Sequence, residues 1–168
     1  MEPKVSIIMG STSDLGVMEA AAKIMDEFEI PFEINALSAH RTPAEVEKFA
    51  KGAKDRGIKV IIAGAGMAAH LPGVIAAMTP LPVIGVPIRA SLDGMDALLA
   101  IAQMPPGIPV ATVAINGAQN AGILAAQMLS LGDAEMAEKM VNFKENLKSK
   151  IVKANQDLSE VKFKFKTN

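Results

Sequence analysis

Three short segments of this 168-residue chain gather the side chains able to do chemistry. Gly10-Ser11-Thr12-Ser13-Asp14 joins a glycine for close backbone approach to several hydroxyl donors and the start of a helical pattern. Together these suit a phosphate group, with Asp14 free to accept from sugar hydroxyls. The plainer reading is an ordinary Ser cap with an acid in the first turn, worth about 1 kcal/mol. Ser38-Ala39-His40-Arg41-Thr42-Pro43 holds one of only two histidines, followed by an Arg suited to bidentate phosphate contacts. Taken alone, His40 reads more readily as a loop His held by a carbonyl. Gly64-Ala65-Gly66-Met67-Ala68-Ala69-His70-Leu71-Pro72-Gly73 sets small residues around the second histidine, so that backbone amides can surround a planar or anionic group. His70 also fits a purely structural role, capping the loop. The chain has no Cys and no Tyr, so proton transfer near neutral pH falls to His40, His70 or a shifted carboxylate.

The elements around these segments alternate apolar runs with helical patterns. Val5–Met9, Phe32–Leu37, Lys59–Ala63, Pro82–Val86 and Val110–Ile115 read as strands. Residues 14–28 place Leu15, Met18, Ala22 and Met25 at helical spacing behind Ser13 as N-cap. Thr42-Pro43-Ala44-Glu45 has the form of a capping box, with Val46, Phe49, Ala50 and Ala53 as the buried stripe behind it. Helices are also expected from near Pro72, over 92–103, over 118–131, and along a final stripe of Met136, Met140, Phe143, Leu147 and Ile151. This alternation predicts a three-layer α/β fold: a doubly wound parallel sheet of about five strands, flavodoxin- or Rossmann-like, with a long C-terminal helix. The strands lack apolar–polar alternation, as parallel strands covered on both faces should. Ligands of such sheets sit beyond the carboxyl ends of the strands, where all three segments fall. One domain over 1–160 is expected, with a basic tail at 161–168. The alternating Val161–Phe165 reads as an edge strand or a segment packed on another subunit.

Composition narrows the partners. Lys and Arg number 17 against 18 Asp and Glu, so no general attraction to nucleic acid or an anionic membrane is expected. Residues 139–168 hold 8 Lys and 3 acids, and the pattern reads as a solvated helix face and a basic tail rather than a nucleic-acid patch. Absence of Cys excludes disulfides, thiol nucleophiles and Cys-ligated metals. No apolar stretch approaches the roughly 18 residues that span a bilayer, and residues 1–9 lack a secretory signal's features. A cytoplasmic enzyme or small-molecule binder is the expectation. Gly64-x-Gly66-x-x-Ala69 matches the dinucleotide fingerprint, but the helix starts too late and no acid lies about 20 residues on.

The loops together resemble the PurE family of purine biosynthesis. The matching residues are Met9-Gly10-Ser11-x-Ser13-Asp14, Ser38 through Pro43, Ala63 through Gly73, and Gln103-Met104-Pro105-x-Gly107-Ile108-Pro109-Val110. Asn120-Ala121 and Leu124-Ala125-Ala126-Gln127 also fit, and the likeness runs over about residues 4–152. Ser-Ala-His-Arg with the Ala-Ala-His-Leu-Pro-Gly loop looks like the branch of 5-(carboxyamino)imidazole ribonucleotide mutases, rather than the branch that carboxylates aminoimidazole ribonucleotide directly with CO2. Two departures stand out: Met67 replaces a common Gly, and Arg89–Asp96 is one residue short, so no residue of that segment is placed in the site.

The resemblance implies transfer of a carboxylate from the exocyclic nitrogen to ring carbon C4, with no metal, ATP or organic cofactor. It implies His40 and His70 as catalytic residues. Ser11, Ser13 and Arg41 would hold phosphate and Asp14 the ribose. Gly10, Ser38, Ala39 and Leu71 would line the substrate, and Gly64, Ala65, Gly66, Met67 and Ala68 would enclose the migrating carboxylate. The apolar stripe from Met136 to Ile151 and the small-residue face around Ala121, Ala125 and Ala126 read as a subunit interface, and the resemblance sharpens this to a homo-octamer in which a neighbour's terminal segment helps close each site. The rival readings are a direct carboxylase, a structural assembly protein, and a non-catalytic flavodoxin-like module for flavin or phosphate. The absence of Trp and Tyr disfavours flavin stacking.

Overall fold

The computed structural model describes all of residues 1–168. The chain divides into two compact units, Met1–Leu129 and Ser130–Asn168. The first is a five-stranded parallel sheet of order β2-β1-β3-β4-β5, the flavodoxin-like order expected of a doubly wound fold. Its strands are β1 (Val5–Met9), β2 (Phe32–Ala36), β3 (Val60–Gly66), β4 (Val83–Ile88) and β5 (Ala111–Thr112). The connecting helices are α1 (Leu15–Glu27), α2 (Pro43–Gly52), α3 (Leu71–Ala76) and α4 (Met95–Ala102), with α5 (Ala118–Ser130) after the last strand.

Burial explains the layers. β1 and β4 are buried along their whole length, as strands covered on both faces must be. Ile8, Ile61 and Ala63 share one core with Val46 and Phe49 of α2, Ile75 of α3 and Ile101 of α4. On the other face Met18 of α1 presses on Gly64, where any Cβ would strike its sulfur. Gly122 of α5 lies close against Ile24 and Ala21 of α1, where a Cβ would come within 2.9 Å of Ile24. Ala121, Ala125 and Ala126 are therefore fully buried within the chain, and the small-residue face expected at a subunit interface is already used.

The register brings the strand ends level. Met9 pairs with Ala36 and with Gly64, and Gly66 pairs with Ile88. The Gly10 amide donates to the Gly64 carbonyl at 3.3 Å, and the Leu37 amide to the Met9 carbonyl at 3.0 Å. Loops far apart in sequence thus leave the sheet along one edge.

Local chemistry departs from expectation at several points. Ser11, not Ser13, caps the first helical turn: a 3₁₀ turn (Thr12–Asp14) precedes α1, and Ser11 accepts from the Ser13 amide. Leu15 and Ala22 stay outside the core, which takes Met18, Ala21, Ile24 and Met25. The capping box does not form. The Thr42 hydroxyl instead donates to the Ser38 carbonyl and accepts from the Ser38 amide, closing the loop on itself while Pro43 starts α2. β3 runs on to Gly66, β4 to Ile88, and β5 shrinks to two residues. The expected helix over 92–103 is a 3₁₀ turn (Leu92–Gly94) followed by α4, with Leu92 and Asp93 at positive φ.

The second unit is dominated by α6 (Ala134–Glu160), capped by Asp133, whose carboxylate accepts from the Met136 amide at 3.1 Å. Met140 is buried, yet Leu147 and Ile151 further along the stripe remain 43% and 72% exposed. The tail forms a turn rather than a strand. Lys166 Nζ donates to the Leu158 and Ser159 carbonyls, satisfying the helix end. No helix is long and apolar enough to cross a membrane.

Candidate active site

A cavity of about 440 Å³ opens at the carboxyl edge of the sheet. Its floor and walls come from the three loops after β1, β2 and β3. Gly10, Ser11, Ser13 and Asp14 meet Ser38, Ala39, His40 and Arg41, and both meet Ala65, Gly66, Met67, Ala68, His70 and Leu71. Of the residues expected at the site, Gly64 alone stays off the surface. It lies beneath the cavity, a carbonyl acceptor for Gly10 and a space for Met18. Ala90, left out with its short segment, does line the cavity. It follows the carboxyl end of β4, so the strand-end rule that located the other loops was the signal for it.

Two contacts define the interior. His40 Nε2 and His70 Nδ1 lie 2.8 Å apart, with ring centroids at 4.9 Å and planes at 77°. Two ring nitrogens at this distance share one proton, so one imidazole donates while the other accepts. Both rings remain solvent-exposed, within reach of a ligand. Arg41 spans two loops. Its Nη2 donates to the Gly10 carbonyl at 2.9 Å and its Nε to Ser38 Oγ at 3.4 Å. The guanidinium is thereby held beside the Ser11 and Ser13 hydroxyls, themselves 3.0 Å apart. Hydroxyls, a helix start and a fixed cation on one wall make an anion subsite.

Burial pushes the Asp14 carboxyl above its ordinary value, against the opposing pull of the Ser13 hydroxyl, the Ser11 backbone and the Arg41 charge. A raised folded-state pKa means that the native state holds its proton longer than the unfolded chain. Stability therefore falls as pH rises through that window, and the loss persists at neutral pH. Asp14→Asn is expected to raise Tm at pH 7, with the difference vanishing below the unfolded carboxyl's pKa. A lower Tm for the variant at pH 7 would show that its hydrogen bonds outweigh its desolvation.

Met67 sits on the cavity rim with φ +55°, a left-handed conformation that disfavours side chains with a Cβ. It is 60% exposed, so packing does little to hold it. Met67→Val should lower unfolding free energy by about 1–2 kcal/mol in urea titrations, because β-branching worsens that conformation, while Met67→Gly should not.

Known proteins are similar to this chain. The family described as AIRC, AIR carboxylase, matches residues 4–150. The Thermotoga maritima N5-carboxyaminoimidazole ribonucleotide mutase is 55% identical over 96% of this chain and 95% of its own length. The mutase of the same name from Pyrococcus abyssi is 58% identical over 87% of this chain and 84% of its own. A crystal structure of Treponema denticola PurE superposes with a TM-score of 0.84 at 33% identity, covering 93% of this chain and 98% of that one. With a matching sheet, near-complete overlap and more than half the residues identical to such relatives, the chain belongs to the AIR carboxylase family, the PurE proteins.

Proposed function

We propose that the protein is a 5-(carboxyamino)imidazole ribonucleotide mutase. The carrying observation is the His40–His70 contact inside a cavity whose other wall is an anion subsite. Relatives bearing the mutase name over nearly their whole length support this branch. In this reading Ser11, Ser13 and Arg41 hold the phosphate and Asp14 the ribose hydroxyls. The N–CO2 bond breaks as His40 delivers a proton to the exocyclic nitrogen. The freed CO2 is held by the backbone around Ala65 to Ala68, and keeping water from it is part of the chemistry. C4 then forms the new C–C bond, and His40 recovers a proton from C4 as the ring regains aromaticity. The imidazole ends as it began, so one group serves both transfers. His70 holds that imidazole in orientation between the two steps.

The Candida glabrata relative, 60% identical over 84% of this chain, is named phosphoribosylaminoimidazole carboxylase, and only a quarter of its length is matched. It favours direct carboxylation as the second reading. One experiment separates them. Purified protein should consume the carboxyamino ribonucleotide, followed by its ultraviolet change, without ATP or bicarbonate. Turnover only from aminoimidazole ribonucleotide plus CO2 would replace the proposal with the second reading.

Arg41→Ala is expected to raise KM for the phosphorylated substrate about tenfold to hundredfold, the range of a hydrogen bond to a charged group. Binding of an analogue lacking phosphate should not change. Equal weakening of both would assign Arg41 to loop structure rather than phosphate.

We place the working enzyme in the cytoplasm as a homo-octamer, with residues 1–160 as the catalytic domain and 161–168 outside it. Support comes from the apolar side chains that α6 leaves exposed, including Val141, Leu147, Ile151 and Leu158. Exposed apolar surface on such a scale marks an interface.

A further inference from the structure

The ribonucleotide of the proposed reaction carries two anionic groups, a phosphate and a carboxylate, while the cavity wall supplies one cation, Arg41. The sheet unit Met1–Leu129 holds nine Lys and Arg. Seven of them lie on helices, in the connection from α2 to β3, or before β1. Only Arg41 and Arg89 stand at the carboxyl ends of strands, where the cavity opens. Arg89 directly follows β4. Its amide donates to Asn116 Oδ1 at 2.9 Å, and the Asn116 amide donates to the Pro87 carbonyl at 2.8 Å. Gly94 packs against it so closely that a Cβ there would lie 3.3 Å from Arg89 Cα. These contacts fix the Arg89 backbone. The residue is exposed, and its guanidinium makes no ion pair or hydrogen bond, unlike that of Arg41.

The register places this free cation beside the cavity. Ala65 pairs with Pro87 and Gly66 with Ile88, and one step further along the two chains come Met67 and Arg89. Neighbouring strands lie about 4.8 Å apart, less than the length of an extended arginine side chain. Ala90, the next residue, already lines the cavity. Because the sheet order is β2-β1-β3-β4, Arg41 and Arg89 flank the cavity from opposite sides, with Arg89 nearer the loop after β3. We propose that Arg89 is a specificity residue that takes the carboxylate of the ribonucleotide. This rests on the reaction proposed above, which sets that carboxylate against Ala65 to Ala68. A guanidinium holds a carboxylate through paired, charge-assisted hydrogen bonds. The group is a carboxylate in the carboxyamino substrate and in the 4-carboxy product, and neutral CO2 only in between. Arg89 therefore favours both ends of the reaction, and its effect is on binding rather than on the chemical step. It selects carboxylated ribonucleotides over aminoimidazole ribonucleotide.

Calorimetric titration of the full-length protein with the 4-carboxy product and with aminoimidazole ribonucleotide tests this without turnover. Arg89→Gln should weaken the product about tenfold to hundredfold, the range of a hydrogen bond to a charged group, and leave aminoimidazole ribonucleotide within about twofold. Arg89→Lys should recover part of the loss, since it restores the charge without the paired geometry. In turnover assays the loss should fall on KM rather than kcat. Equal weakening of both ribonucleotides, no weakening of either, or a loss confined to kcat would overturn the inference. The 4-carboxy ribonucleotide is the product in the mutase and the direct-carboxylase readings alike, so the titration stands whichever holds. Wild-type protein that binds this product through Arg89 but leaves the carboxyamino ribonucleotide unconsumed would sink the mutase reading alone.

Discussion

His40→Asn is expected to reduce turnover by about 10²–10⁴-fold, the span of general acid–base catalysis, with an unchanged circular dichroism spectrum. Asn keeps a polar group near His70 but cannot carry a proton between nitrogen and C4. The substitution touches no core residue, since the ring stands exposed at the cavity, so folding should survive. Single-turnover rates are the right measure, because substrate binding through Arg41 and the hydroxyls should persist. A rate above about a tenth of wild type would mean that another group moves the proton. His70 is the first candidate, being 2.8 Å from His40. His70→Asn should be the milder change, lowering kcat while KM holds, because its proposed task is to orient His40.

Removing residues 136–168 should lower both the assembly and the activity, although every residue lining the cavity remains. The deletion takes nearly all of α6 and its exposed apolar stripe. Light scattering on the intact protein should give a mass near eight times 17.6 kDa, and the shortened chain a small fraction of it. Turnover should fall at least about tenfold if a neighbour's segment completes each site. Because α6 also buries Met140, Leu147→Asp with Ile151→Asp supplies the surface-only comparison. Both side chains are exposed in the single chain, and their replacement should break association without unfolding it. A stable, fully active monomer at micromolar concentration would sink the proposal.

The sheet and its loops were legible because their signals are local. Val5–Met9 is apolar throughout, and the strand-end rule places Gly10, His40 and His70 on one edge without knowledge of any contact. What stayed hidden depends on partners distant in sequence. Thr42 has the right spacing for a capping box, yet the Ser38 backbone outcompetes the helix end for its hydroxyl. Gly64 looks like a ligand-facing glycine in a Gly-rich run, but its missing Cβ serves Met18 from α1. The Ala-rich face of α5 reads as free surface until Ile24 is found against Gly122. The His40–His70 contact joins residues 30 apart, and no periodicity predicts a 2.8 Å approach.

Every cavity-lining residue except Ala90 precedes Pro72. The pairings of β1 with β2 and β3 are likewise complete within the first 66 residues. During synthesis, at roughly 5–20 residues per second, this amino-terminal stretch emerges seconds before α6. The pocket's framework is thus encoded ahead of the surface proposed to join subunits. Chain folding and subunit assembly become separate events, the second dependent on concentration. On refolding from denaturant, the recovery of helical signal should then be independent of protein concentration, while the return of catalysis quickens as the protein is made more concentrated.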